Sequence, residues 1–86
     1  MTVRVLCFFQ PGCMGCMEQE PINAEVSKAL KVTIEEIDAI KNPEYISRFQ
    51  LKATPTLIIE KDGIAQERFE GVVHAEQLEA VLKKYL

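Results

Sequence analysis

An α/β fold with a mixed four-stranded sheet, in the order β-α-β-α-β-β-α and with helices on both faces, is predicted by three features of these 86 residues. The hydrophobic period switches repeatedly between strand-like and helix-like along the chain. A crossover helix between the first two strands makes them parallel, and an Asp-Gly turn makes the last two antiparallel. A hydrophobic content of 48% over this length fills one core and not two, so a single domain over 1–86 is expected.

Residues 3–9 are β-branched and aromatic, too apolar for a half-exposed strand, and predict a central strand covered on both faces. Gln10-Pro11-Gly12 ends it. From Cys13 to Lys31 the spacing of Met17, Ile22, Val26, Ala29 and Leu30 predicts a helix with those residues on its buried stripe, kinked at Pro21. Val32–Asp38 reads as the second strand. Asn42-Pro43-Glu44 opens a short helix, with Asn42 as N-cap and Tyr45, Ile46 and Phe49 facing the core. Thr56–Glu60 and Ile64–Phe69 read as strands around the Asp62-Gly63 turn. Residues 74–86 predict a closing helix with Leu78, Val81, Leu82 and Tyr85 on one side.

Composition narrows the function. With 27% charged residues and a mean hydropathy near zero, the chain falls among ordinary globular proteins. The net charge of −3 arises from 13 acidic and 10 basic residues with no Lys/Arg run, which argues against nucleic acid or anionic lipid as a partner. The apolar run at the N-terminus is short and reaches Pro11-Gly12 before any small-residue cleavage site, so no signal peptide is expected. No segment approaches the roughly 20 apolar residues of a membrane-spanning helix. A cytoplasmic location is the resulting expectation. Three cysteines, an odd number, suit functional thiols in a reducing compartment better than a paired structural framework.

The chemistry concentrates in Cys13-Met14-Gly15-Cys16. Two thiols three positions apart share the first helical turn and can close a very small disulfide ring. Cys13 lies where free backbone N–H groups and the helix dipole favour an anion, which makes it the expected nucleophile. Cys16, one turn inside, can attack a mixed disulfide at Cys13 and release the partner, which makes it the resolving thiol. Half of a zinc site has the same spacing. Only Cys7, within a strand, and His74, at another helix start, remain as further ligands, and no second C-x-x-C follows. A proline just before the apolar run Thr56–Ile59 is tolerated only at a strand start or a tight turn, cis or trans.

Together, these marks resemble the thioredoxin superfamily from Val3 to Leu86. The resemblance rests on the order strand, C-x-x-C, helix; on Pro21, five residues past Cys16; on Thr54-Pro55-Thr56; and on Gly63 and Gly71, eight and sixteen residues beyond Pro55. It implies a thioredoxin-like fold and a cis Thr54–Pro55 loop that faces the cysteine pair. It also implies dithiol–disulfide exchange with protein substrates, which Thr54 and Pro55, with Met14 and Gly15, bind beside Cys13. A monomer recharged by a thioredoxin-reductase-like donor, with no metal or organic cofactor, completes that expectation.

The chain departs from typical thioredoxins at two positions. They carry a tryptophan just before the first cysteine and a buried aspartate six residues before it, where this chain has Gly12 and Cys7. Cys7 is expected to pack as a small hydrophobe. Glu18 and Glu20 are expected on a solvated helix face, to act as bases only if they turn inward, with His74 at the surface and Glu35 and Glu36 in solvent. The length resembles glutaredoxin, and a glutathione-recharged enzyme is the alternative. The basic residue and the Gly-Gly-acid segment common in glutaredoxins are replaced by Gln10-Pro11-Gly12 and Gly71-Val72-Val73-His74. A non-catalytic module that binds a thiol partner or a metal ion is the alternative from another class.

Overall fold

β1 (Val3–Phe9) is the strand on which the other elements assemble. Its pleat alternates side chains between two covered faces. Val5, Leu6, Cys7 and Phe8 are each at most 2% exposed. β1 pairs in parallel with β2 (Ile34–Asp38) and antiparallel with β3 (Thr56–Lys61), which pairs antiparallel with β4 (Ile64–Glu70). The sheet order is β2-β1-β3-β4. Three helices complete the chain: α1 (Met14–Leu30), α2 (Glu44–Phe49) and α3 (Ala75–Leu82). The computed structural model describes residues 2–86; Met1, part of the expected domain, lies outside the described residues.

Val5 and Cys7 face α1 and α3, in a core with Val26, Leu57, Ile59, Leu78 and Leu82. Leu6, Phe8 and Ile58 face the other way, toward Tyr45 and Phe49 of α2. The Phe8 ring lies 5.3 Å from that of Tyr45 and 5.5 Å from that of Phe49. The Asp62-Gly63 turn has both residues at positive φ, 52° and 83°, as a tight hairpin requires. The predicted element order, the parallel and antiparallel pairings and the covering of both faces all stand.

Several boundaries move. Lys31 adopts a left-handed conformation and the Val32 N–H returns to Ser27 O, so β2 begins at Ile34 rather than Val32. Pro43, not Asn42, takes the N-cap of α2; the Asn42 amide instead donates to Asp38 O. Ile46 points outward at 38% exposure. α3 ends at Leu82, and Lys84 and Tyr85 follow in a turn bonded back to Val81 and Leu82. Glu35 is not simply solvated: Arg4 grips it through two bonds of 2.8 and 2.9 Å, which holds its carboxyl below the usual range.

The larger correction concerns α1. Ile22, Val26 and Leu30 pack inward as expected, but Met17 is 66% exposed and Ala29 is also exposed, and Gln19 and Asn23 take their place on the buried face. Gln19 spans α1 and the segment before α3. Its Nε2 donates to Val73 O and to Asn23 Oδ1, at 3.1 and 3.0 Å, and its Oε1 accepts from Val73 N at 2.9 Å. A polar residue is tolerated at this depth because its amide is so fully paired.

Cys7 is buried, as expected of a small hydrophobe, and burial pushes its thiol from 9.0 up to about 11. Below pH 9 it is protonated whether the chain is folded or unfolded, and stability is at its full value. Between about pH 9 and 11 only the unfolded chain ionises, so stability falls by about 2–3 kcal/mol over that window. Urea unfolding of the disulfide-bonded protein across this range should show that component in the wild type and not in Cys7→Ala.

Candidate active site

The end of β1 and the start of α1 present the cysteine pair. Gln10-Pro11-Gly12 turns the chain, with Gly12 at φ 78°, and delivers Cys13 to the N-cap of α1 in an extended conformation. The residue type is unusual for a cap, but the Cys13 sulfur does a cap's work. Its Sγ accepts the Cys16 N–H at 3.1 Å, satisfying one of the helix's free donors. No acidic residue in the first turn offsets the positive end of the helix. The two cysteines, with Cα atoms 5.2 Å apart, are joined in a disulfide.

Thr54 and Pro55 lie directly against this turn. The Thr54 hydroxyl donates to Cys13 Sγ at 3.3 Å, and Thr54 O sits 3.4 Å from the same sulfur. The Thr54–Pro55 peptide is cis, the isomer that the resemblance implies. Pro55 O accepts from Gly71 N at 2.8 Å, which ties this loop to the end of β4. Gly15 explains how α1 comes so close: a Cβ there would stand 3.0 Å from Pro55 Cδ and 3.4 Å from Val72 Cγ2. Met14 is 79% exposed and, with Met17, surrounds the disulfide with apolar surface. The six residues singled out in the sequence, Cys13, Met14, Gly15, Cys16, Thr54 and Pro55, therefore converge on one surface.

Two carboxyl groups expected in solvent also border the pair. A cleft of about 410 Å³ opens beside the pair, and Glu20 and Glu36 line it together with Cys7, Cys13 and Cys16. Glu36 reaches the cleft because the parallel register sets it beside Cys7. Glu36 is exposed, as expected, yet partial desolvation in the cleft, then the negative charge of Glu20, raises its carboxyl above the ordinary value. Alternation along β2 could have placed Glu36 on the α1 side, but only a known register puts it next to Cys7. His74 is the exposed N-cap of α3. Among the described residues, no group of three or more His, Cys, Asp or Glu side chains could hold a metal ion. No helix among them is long and apolar enough to cross a membrane.

The family model named Thioredoxin matches residues 2–84. The chain belongs to the thioredoxin family. It is 40% identical over 73 residues to "Thioredoxin Y, chloroplastic" of Oryza sativa subsp. japonica, an alignment covering 83% of this chain and 44% of that protein. It is 35% identical over 81 residues to a thioredoxin of Alicyclobacillus acidocaldarius, covering 92% of this chain and 77% of the relative. The chain thus spans under half the length of the chloroplastic relatives it matches. Among solved structures, a malaria parasite thioredoxin-2, described as a component of protein secretion machinery, superposes with a TM-score of 0.91 at 29% identity. That match covers 96% of this chain and 82% of the other.

Proposed function

We propose that this chain is a thiol–disulfide oxidoreductase that exchanges its Cys13–Cys16 pair with disulfides of protein substrates. The observation that carries the reading is the Cys13 sulfur at the N-terminus of α1, bonded to Cys16 and contacted by both the Cys16 N–H and the Thr54 hydroxyl. Once the pair is reduced, those two donors stabilise a thiolate on Cys13, the form that attacks. The thiolate opens a substrate disulfide and forms a mixed disulfide. Cys16 then attacks Cys13 Sγ, and the substrate leaves reduced. The exposed Met14 and the edge at Thr54-Pro55 hold an extended substrate segment in place.

The proposal extends to the surroundings of the reaction. A thioredoxin-reductase-like donor returns the electrons, and the protein acts as a monomer. A reducing, cytosolic location suits the buried unpaired thiol of Cys7. Equilibration against a dithiol redox buffer tests the reading, with Cys13–Cys16 disulfide formation followed in the wild type. A reversible intramolecular disulfide is expected; a pair that never closes or reopens rejects the assignment. A potential near about −270 mV marks a reductant and one near about −120 mV an oxidant.

A further inference from the structure

Resolution of the mixed disulfide needs Cys16 as a thiolate, so its proton must go somewhere. The cleft beside the pair offers three titratable groups besides the pair itself: Cys7 from β1, Glu20 from α1 and Glu36 from β2. Cys7 is unsuited, because burial keeps its thiol protonated in neutral solution. Asp38, two residues along β2, is engaged by the N–H groups of Ile40 and Lys41.

A second observation singles out Glu36. Asn23 is 2% exposed, and its Oδ1 accepts from Gln19, yet its Nδ2 is the one buried side-chain polar atom among the described residues without a hydrogen-bond partner. That amide favours the ionised form of both Cys7 and Glu36, which stand side by side in the register of β1 and β2. A buried donor left unpaired is costly. Beside a carboxyl that gains and loses charge, it has a use.

We propose that the Glu36 carboxylate accepts the proton of the resolving Cys16 thiol across the cleft that both residues line. This rests on the oxidoreductase reading. Cys16–SH passes its proton through cleft water to Glu36, and the cleft is polar and roomy enough to admit that water. The Cys16 thiolate forms a bond to Cys13 Sγ, and the bond between Cys13 and the substrate sulfur breaks. The substrate leaves as a thiolate and takes a proton from the Glu36 carboxylic acid. The cysteine pair ends oxidised by two electrons and the substrate disulfide reduced by two. Partial desolvation of the exposed Glu36 side chain, then the negative charge of Glu20, raise its carboxyl against the pull of Asn23, bringing it closer to the thiol it serves.

The reduced 86-residue chain, mixed with an aromatic disulfide whose thiol product is coloured, releases one equivalent when Cys13 attacks and a second when Cys16 resolves. The second release is timed across the pH range in the wild type, Glu36→Gln, Glu36→Asp and Glu20→Gln. In Glu36→Gln it should slow by about a hundredfold near neutrality and climb about tenfold per pH unit. Glu36→Asp should recover most of the rate, which a merely structural role would not predict. Glu20→Gln should move the Glu36 inflection to lower pH, and that shift decides the matter if Glu36→Gln does not fold. A Glu36→Gln profile that superimposes on the wild type, or an inflection that Glu20→Gln leaves in place, overturns the proposal and spares the oxidoreductase reading. A wild type that never releases the second equivalent overturns both.

Discussion

Cys13→Ser is expected to abolish exchange with protein disulfides, whereas Cys16→Ser is expected to stop it half-way, at a stable mixed disulfide. The two sulfurs share one helical turn but not one environment. Cys13 caps α1 and receives the Cys16 N–H and the Thr54 hydroxyl, so a negative charge develops on it against two donors and the positive end of the helix. A serine hydroxyl in that place stays protonated at neutral pH and cannot open a disulfide. Cys16 lies inside the turn and acts only after Cys13 is bonded to substrate. Intact-mass measurement after mixing with a disulfide substrate separates the variants: no adduct for Cys13→Ser, a persistent one for Cys16→Ser. Rapid loss of the adduct in Cys16→Ser would assign the resolving step to another group.

Gln19→Leu is expected to destabilise the fold by about 3–5 kcal/mol, although it places an apolar residue at a buried position. Leucine cannot replace the bonds of Gln19 to both the N–H and the C=O of Val73, nor the one to Asn23 Oδ1. Each buried group so orphaned costs about 1–3 kcal/mol, partly offset by the apolar gain. The damage should also loosen the segment that brings Val72 against Gly15. Met17→Gln supplies the contrast. That side chain is 66% exposed, and the substitution should change stability by no more than about 0.5 kcal/mol. Urea midpoints for both variants check the pair, and a larger loss for Met17→Gln than for Gln19→Leu would reverse the assignment of the buried face of α1.

Most of the fold is legible from local signals, because local chemistry produces it. Asp62-Gly63 closes a hairpin whatever lies around it, and the unbroken apolar run of β1 belongs between two covering layers. The cysteine pair was readable from its own spacing, whereas Thr54 and Pro55 reached the site only through the resemblance that the proline and glycine spacing carries. The polar interior was not readable. Met17 and Ala29 fit the helical period of a core but lie on the open side of α1, while Gln19 and Asn23 are buried because their partners lie across the fold. Helical spacing separates one face from another without saying which is covered.

The sequence by itself therefore determined the order of elements, the parallel and antiparallel pairings and the two thiols of the proposed site. Only the tertiary structure decided that Gln19 and Asn23, rather than Met17 and Ala29, join Val26 on the buried face of α1, that Gln19 locks onto Val73, and that Glu36 shares a cleft with Cys16. The physical reason is one of range. Turn and pairing preferences are set by neighbouring residues, whereas the partner that makes a buried amide tolerable stands 54 residues away, and the register that aims a carboxylate at a thiol is set by the packing of whole elements.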